Sequence, residues 1–239
     1  MAHPHVIQFR EVLECQGLVG LVMEYAAGGA LSALISARCG LPEPAARWFF
    51  QQVVIAVDFC HQKGFACQDI KLENVLIVND ARTLVKLCIS RCSQGTKLHS
   101  PPGSLLRLPP TVAPEILLSA HSGSMYDGQR ADMWSLGVLL FTMLTGHYPF
   151  SAQKPSSAAS TSYVRSLLMG GQLRDLQQCV ALGISKQCMD LLTRLLQQDP
   201  KARCRMKDVL NHPWFLSDLP PGATSTNKEP KLHISQPPC

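Results

Sequence analysis

GFACQDIKLENVLI, residues 64–77, places a short polar segment between two apolar runs. Three side chains in it can do chemistry: Asp69, Lys71 and Asn74. Taken alone, three polar residues in six describe an ordinary solvated loop, which is the commoner meaning of such a pattern. Its significance therefore depends on the elements that surround it along the chain.

Strand-length and helix-length patterns precede this segment. Residues 5–14 and 18–25 are short apolar runs joined by a polar turn, which predicts a β-hairpin. Residues 30–38 predict a short amphipathic helix, and residues 43–64 predict a long one with Pro44 in its first turn. A hairpin and two helices thus lead into the polar segment.

Short strands and then long helices follow it. Residues 75–78 and 84–88 predict two strands, and residues 89–112, which are polar and contain four prolines, predict a long exposed loop. ADMWSLGVLLFTMLTG, residues 131–146, is apolar nearly all round, which is typical of a helix buried in the middle of a domain. We also expect helices at 161–169, 185–196 and 205–210, and a flexible tail from Pro220 that is rich in Pro, Ser, Thr and Lys.

Composition narrows the class of protein. The chain has 239 residues, 46% hydrophobic content and a mean hydropathy of +0.07, as expected of a globular protein. Its formal net charge of +5 is scattered, so neither nucleic acid nor a membrane surface is an expected partner, and the oligomeric state is left open. The ten cysteines form no C-x-x-C pair and are expected to be reduced and mostly buried. No signal peptide or membrane helix is evident, which favours the cytoplasm, the nucleus or both.

Six motifs occur in an order that resembles the large lobe of a eukaryotic protein kinase. They are VMEYAAGGAL (22–31), DIKLEN (69–74), APE (113–115), ADMWSLGV (131–138), DPKAR (199–203) and HPWF (212–215). In that family these motifs form the hinge, the catalytic loop, the end of the activation segment, the start of the central helix and the closing helices. Six ordered matches are far more specific than any one of them.

The resemblance covers about residues 3–220. In detail, the sequence resembles the plant sucrose-non-fermenting-related, osmotic-stress-activated Ser/Thr kinases. It implies an α+β fold that is mostly α, with a kinase large lobe over 26–219. Residues 1–25 would be a remnant of the small lobe, comprising only its last strands, and residues 220–239 a flexible tail. The implied activity is transfer of the terminal phosphate of ATP to protein Ser or Thr in stress signalling.

The same resemblance assigns candidate site residues. Asp69 matches the catalytic base, Lys71 the cation that steadies the transferred phosphate, and Asn74 an amide that holds magnesium. At the hinge, Glu24 and Ala26 match backbone groups that bind adenine, and Met23 matches the residue that guards the back of the pocket. ATP and magnesium are the implied cofactors, and protein substrates or signalling proteins the implied partners.

Several chemical positions depart from the family pattern. Cys67 and Gln68 stand where the family has His and Arg, and Gln68 has no charge with which to bind a phosphorylated activation segment. Residues 89–91 are Ile, Ser and Arg where the family has Asp-Phe-Gly, so Asn74 alone would remain as a weak metal ligand. Leu108 replaces a threonine that contacts the catalytic base. Neither a glycine-rich phosphate loop nor a VAIK-type lysine precedes the hinge, so ATP binding is doubtful.

Structural positions match the family better. Glu115 and Arg203 match a buried ion pair that ties the activation segment to the late helices. Asp132 matches a carboxylate that caps the backbone of the catalytic loop, while Trp134 and Trp214 are expected in the core. The large-lobe fold is therefore expected to be kept.

Three interpretations follow from these matches and departures. The chain is a Ser/Thr kinase, with catalysis impaired in the sequence as written. Alternatively, it is a pseudokinase or scaffold that binds signalling partners. The third interpretation is an incomplete gene product, although truncation does not account for Gln68 or for residues 89–91, which lie inside the chain.

Overall fold

A computed structural model of the protein describes residues 2–78, 81, 83–89, 93–94, 97–98, 111–149 and 176–224. Four predictions lie outside the described residues. These are the helix at 161–169, the side chains of Ser90 and Arg91, the substitution at Leu108, and the part of the predicted flexible tail from residue 225 onward. The start of that tail, residues 220–224, is described, and Ala223 is buried there against the core.

The described chain is mostly helical with short strands. The helices are α1 (Leu31–Arg38), α2 (Glu43–Gln62), α3 (Pro114–Ser122), α4 (Gly128–Thr145), α5 (Leu176–Ala181), α6 (Lys186–Leu195), α7 (Met206–Leu210) and α8 (Pro213–Leu216). The strands are β1 (Phe9–Cys15), β2 (Leu18–Met23), β3 (Gly29–Ala30), β4 (Phe65–Ala66), β5 (Val75–Ile77), β6 (Val85–Leu87), β7 (Ser93–Gln94), β8 (Lys97–Leu98) and β9 (Tyr126–Asp127). This arrangement confirms an α+β fold in which helices dominate.

β1 and β2 form the predicted hairpin. The two strands pair antiparallel, with Val12 opposite Leu21, and they form a two-stranded sheet of their own. Gln16 and Gly17 make the turn with φ angles of 51° and 77°. Two consecutive positive φ angles give the turn a twist that matches that of the flanking strands.

A second small sheet carries the end of the polar segment. β5 lies between β3 and β6, all antiparallel. The chain before β1 joins this sheet as well, because Ile7 N donates to Leu87 O at 3.0 Å and Leu87 N donates to His5 O at 2.8 Å. The predicted strands at 75–78 and 84–88 are thereby confirmed.

α2 and α4 build the centre of the core. α4 is buried along nearly its whole length, as its apolar sequence predicts, and Asp127 caps its N-terminus by accepting from the amides of Gln129 and Arg130. Trp134 and Trp214 are both fully buried, which confirms their expected place in the core.

Two buried glutamines fasten α2 to distant parts of the chain. Gln52 accepts from Val85 N at 2.9 Å and thereby holds β6, while Gln51 Nε2 donates to Phe215 O at 2.6 Å and holds α8. These side chains satisfy backbone groups that would otherwise be buried without a partner. Although α2 is largely apolar, it thus also makes the polar contacts that join it to β6 and to α8.

α3 and α5 are helices that the sequence patterns did not predict. Pro114 occupies the first turn of α3, where a proline lacks no needed hydrogen bond. Gly123, with φ of 67°, ends the helix in the left-handed conformation.

None of the eight cysteines that the structure describes forms a disulfide, and five of them are buried: Cys60, Cys67, Cys179, Cys188 and Cys204. In the described residues, no helix is both long and apolar enough to cross a membrane.

Candidate functional site

The three predicted catalytic side chains lie together on one loop. Lys71 Nζ lies 2.9 Å from Asp69 Oδ1 and donates to Oδ2 at 3.0 Å. Asn74 Nδ2 donates to Asp69 Oδ2 at 2.9 Å and to the Asp69 backbone oxygen at 2.8 Å. The 3₁₀ turn Leu72–Asn74 brings Asn74 back onto Asp69. The carboxylate of Asp69 is therefore held by a cation on one side and an amide on the other.

Asp132 fixes the backbone that leads into this loop. The carboxylate of Asp132, which is 1% exposed, accepts from Cys67 N at 2.7 Å and from Gln68 N at 2.9 Å. His61 Nε2 lies 2.8 Å from the same carboxylate. Gln68 has φ of 59°, a left-handed conformation that a non-glycine residue keeps only when its surroundings impose it. The expected cap on the catalytic loop is confirmed.

Ile89 occupies the position after β6 where the sequence comparison expects a metal-binding aspartate. Cys88 N donates to Asn74 O at 2.7 Å, so the chain just before Ile89 is tied to the loop of Asp69. The Ile89 side chain is half-buried and packs against the hydrophobic core. Burial, and then the charge of Asp69, raises the pKa of the Cys88 thiol. The position is thus close to the loop but apolar.

These residues do not fit a magnesium ion. Mg²⁺ requires an octahedral set of oxygen ligands, usually including one or two carboxylates. Asp69 is already engaged by Lys71 and Asn74, and Ile89 offers no side-chain oxygen. Across the part of the chain that the structure describes, no group of three or more His, Cys, Asp and Glu side chains is arranged to hold a metal. The site therefore supports no chemical step through magnesium.

The predicted hinge residues follow β2. Glu24 N donates to Gln8 O at 2.8 Å, and the Glu24 carboxylate pairs with Lys86 on β6 and accepts from Gln8 N at 3.1 Å. Burial by itself raises the pKa of Glu24, but the hydrogen bonds from Lys86 and Gln8 outweigh burial, so the pKa is lowered. The side chain of Glu24 therefore links the hinge to the sheet. The sequence did not indicate this contact, because Lys86 lies 62 positions further along the chain.

The other two hinge residues are more open. Met23 is 42% exposed, and the Ala26 backbone oxygen accepts from Gly29 N at 3.3 Å. Gly28 lies so close to β5 that an added Cβ would meet Ile77 Cγ2 at 2.5 Å. The turn after the hinge therefore packs directly on the sheet that carries the catalytic loop.

A second ion pair secures the region after the long loop. Arg203 donates to the two carboxylate oxygens of Glu115 at 2.6 and 2.9 Å, and Arg203 is 1% exposed. It also donates to the backbone oxygen of Arg130 at 2.6 Å and lies over the ring of Trp134. The expected Glu115–Arg203 pair is confirmed, and it joins α3 to the segment before α7.

One contact of the loop was not anticipated from the sequence. Tyr148 Oη donates to Glu73 Oε1 at 3.3 Å, and burial together with the Glu73 charge raises the pKa of Tyr148 to about 12. Glu73 belongs to the same hexapeptide as Asp69, but nothing in the local pattern indicates a partner 75 positions away. The segment that follows α4 thereby contacts the loop as well.

A groove on the surface of the late helices lies away from these residues. It has a volume of about 650 Å³ and is lined by residues of α6, α7 and the start of α8, including Lys186, Asp190 and Lys207. None of the predicted site residues contributes to it. The groove is therefore separate from the candidate site, which consists of the loop of Asp69 and the neighbouring hinge.

Comparison with known proteins gives concordant matches. A family model described as protein kinase domain matches residues 1–215. The Ser/Thr protein kinase SAPK4 of Oryza sativa subsp. japonica is 37% identical over 226 residues, which cover 95% of this chain and 60% of that protein. The Ser/Thr protein kinase SRK2G of Arabidopsis thaliana is 36% identical over 220 residues, covering 92% and 60%. This chain therefore spans about 60% of the length of these relatives.

Solved structures agree in fold. The Rad53 kinase domain with SCD2 superimposes with a TM-score of 0.72 at 27% identity, covering 90% of this chain and 73% of that one. Rad53 1–466 in complex with AMP-PNP gives the same TM-score, with 52% of that chain covered. Similarity thus extends over most of the described chain.

Proposed function

The chain belongs to the protein kinase family, and from this premise we propose that it is a signalling protein that keeps the large-lobe framework but does not carry out magnesium-dependent phosphate transfer. The observation that carries the proposal is Ile89, an apolar side chain packed on the core beside the Asp69 loop. In this role the chain binds other signalling proteins as a pseudokinase or scaffold.

The position of Ile89 is determined by its neighbours, which makes the substitution consequential. Cys88 N is bonded to Asn74 O, and β6 is paired with β5, so residue 89 follows the strand at a defined place next to Asp69. An isoleucine there supplies no oxygen ligand for a hard cation. Phosphate transfer depends on positioning and on neutralising the developing negative charge, so losing the metal ligand removes a main source of stabilisation.

A second candidate function, Ser/Thr phosphotransfer at a reduced rate, is favoured by a different observation. Asp69, Lys71 and Asn74 keep a compact hydrogen-bonded arrangement. In such a loop Asp69 would orient a substrate hydroxyl and accept its proton, and Lys71 would place positive charge beside the phosphate. Because Gln68 is uncharged, this activity would not be switched by a phosphorylated activation segment binding at that position.

A phosphotransfer assay separates the two candidates. We expect the purified chain to transfer no measurable phosphate from Mg-ATP to a generic basic peptide, and its melting temperature to be the same with Mg-ATP as with ATP plus a chelator. Phosphate transfer that disappears in Asp69→Asn would show the proposal to be wrong and establish the second candidate. Ile89→Asp is the matched variant: a magnesium-dependent thermal shift in this variant alone supports the role of residue 89.

The cellular compartment and the signalling pathway are also proposals. We place the protein in the cytoplasm, the nucleus or both, within a stress-signalling pathway, because the resemblance is to kinases of that type. A fluorescent fusion found only at a membrane or inside a secretory compartment would contradict this placement.

A further inference from the structure

The groove on the late helices has an excess of positive charge, and we call it the late-helix groove. It has a volume of about 650 Å³ and is lined by residues of α6 and α7, and by His212 and Pro213 where α8 begins. Five of the lining residues are formally charged. Three are cations and two are carboxylates: Lys186, Arg194 and Lys207 against Asp190 and Asp208.

Both carboxylates of the groove are already engaged within the protein. Asp190 Oδ2 lies 2.9 Å from Arg194 Nε and 3.0 Å from Nε2 of the buried His212. Hydrogen bonds from His212 and then from Arg194 lower the pKa of Asp190. Asp208 Oδ2 accepts from Arg205 N at 2.8 Å and thereby caps the start of α7. The negative charges in the groove are therefore compensated from inside the fold.

The two lysines of the groove are not compensated in this way. Lys186 and Lys207 are both exposed, and within the part of the chain that the structure describes neither ammonium has an ion-pair or hydrogen-bond partner. Lys186 is also the first residue of α6, and the first turn of this described helix contains no acidic side chain. Its charge thus adds to the positive end of the helix dipole, so a negatively charged ligand is favoured there.

The cations along α6 are spaced to match an extended peptide. Lys186, Asp190 and Arg194 follow one another at four-residue steps on one side of the helix. The eight residues from Lys186 to Arg194 rise about 12 Å along the helix axis. In an extended chain, residues i and i+4 lie about 13 Å apart and point to the same side. Acidic side chains at i and i+4 therefore match the two cations, whereas one at i+2 would lie beside Asp190.

We propose that the late-helix groove binds an extended acidic segment of a partner protein, with carboxylates at positions i and i+4 that meet Lys186 and Arg194. Lys207 lines the groove from α7 and adds to the attraction. A nucleic acid fits less well, because its backbone has a charge at every nucleotide and would place one of them beside Asp190. Complementary charges of this kind contribute more to specificity than to affinity, so we expect a weak but selective contact.

This inference goes beyond the proposed function. No residue of the Asp69 loop lines the late-helix groove, so the groove binds its partner whether or not the loop transfers phosphate.

A titration followed by amide chemical shifts tests the proposal on the full ¹⁵N-labelled chain. The probe is a Gly-Ser peptide that contains two glutamates four positions apart. We expect shifts at the amides of Lys186, Gln187, Lys207 and Asn211, and a dissociation constant that rises with salt. Moving the second glutamate to position i+2 should weaken binding at least about threefold, and replacing both by glutamine should abolish it.

Lys186→Glu tests the groove itself. It should raise the dissociation constant of the peptide at least about tenfold, because it places like charges opposite each other. It should not unfold α6, because a glutamate at the first helical position complements the helix dipole. Weaker binding in this variant therefore reports the lost contact and not a lost fold.

Lys63→Glu is the matched control, because it makes the same change of charge far from the groove. α2 begins beside α8, where Trp214 Nε1 donates to Glu43 Oε1 at 2.7 Å, and Lys63 follows the other end of α2. The 20 residues of α2 separate the two ends by about 30 Å. This variant should change the dissociation constant by less than about twofold.

Four results would overturn the proposal. Binding that Lys186→Glu leaves unchanged is the first, and equal binding of the glutamine peptide is the second. The third is a set of shifts that lies outside the groove, or no shifts at all at millimolar peptide. The fourth is an oligothymidylate of similar length that binds the same amides more tightly than the peptide, which would make a nucleic acid the occupant.

Discussion

At the scale of single residues, His3 illustrates how burial sets a charge state. Its ring is 9% exposed and stacks on Phe59 at 4.6 Å, and its Nδ1 accepts from His5 N at 3.1 Å. Burial, followed by the charges of His5 and Lys86, lowers the pKa of His3 from 6.5 to about 4. The folded protein therefore holds His3 neutral at a pH where the unfolded chain would protonate it.

This depressed pKa predicts loss of stability in mild acid. Since the unfolded chain binds the proton more readily, the stability from neutral His3 is fully present above pH 6.5 and is lost as the pH falls towards 4. Allowing for solvent screening, we expect about 2 kcal/mol from this residue. His3→Phe should keep the ring stack and flatten the pH dependence of urea unfolding between pH 7 and 4. An unchanged slope would contradict the assignment; His5, whose pKa is also lowered, adds a smaller slope of the same sign.

The sequence predicted which residues form the candidate site better than it predicted their contacts. Asp69, Lys71 and Asn74 are close in the chain, so a short loop brings them together. The Glu24–Lys86 and Glu73–Tyr148 pairs were not predicted, because partners 62 and 75 positions apart meet only when the strands and α4 have packed. Asp132 and the Glu115–Arg203 pair were found at long range only through family motifs.

At the scale of elements, the loop of Asp69 depends on α4 for its shape. Asp132 is the carboxylate of α4 that accepts from two successive loop amides and lies beside His61 of α2. A buried amide without an acceptor costs about 1–3 kcal/mol. The conformation of the loop is consequently a property of the packing between two helices and not of the loop sequence alone.

Replacing Asp132 should increase the mobility of the Asp69 loop more than it lowers the stability of the whole fold. We expect Asp132→Ala to cost about 3 kcal/mol and to speed amide hydrogen exchange at Cys67 and Gln68. Asp127→Ala is the control, because it removes the exposed N-cap of the same helix. That variant should cost about 1 kcal/mol and leave exchange in the loop unchanged. Equal exchange rates in both variants would show that Asp132 does not hold the loop.

At the scale of the whole molecule, one buried ion pair connects the middle of the chain to its closing helices. Glu115 and Arg203 are 88 positions apart, and Arg203 also donates to backbone oxygens of Arg130 and Gln197. Removing one partner of a buried pair leaves a charge without compensation, which typically costs about 3–5 kcal/mol. The pair therefore couples α3, α4 and the segment before α7 into one unit.

We expect Glu115→Ala to destabilise the protein by about 3 kcal/mol in urea unfolding, at the lower end of that range because Arg203 keeps its backbone acceptors. Glu115→Ala combined with Arg203→Met should recover part of the loss, since neither charge then remains buried. Glu11→Ala, on the exposed strand β1, is the control and should change stability by less than about 0.5 kcal/mol. A double variant less stable than Glu115→Ala alone would contradict the ion-pair explanation.

The sequence by itself determined the family, most of the long elements and the chemical identity of the loop, because periodicity, turn residues and motif spacing are local properties of the chain. It also determined that residue 89 carries no metal-binding oxygen. Only the tertiary structure decided that Asp69 is held between Lys71 and Asn74, that Glu24 pairs with Lys86, and that Tyr148 bonds to Glu73. The physical reason is that hydrogen bonds and burial depend on which distant segments pack together, and that packing is a property of the whole chain.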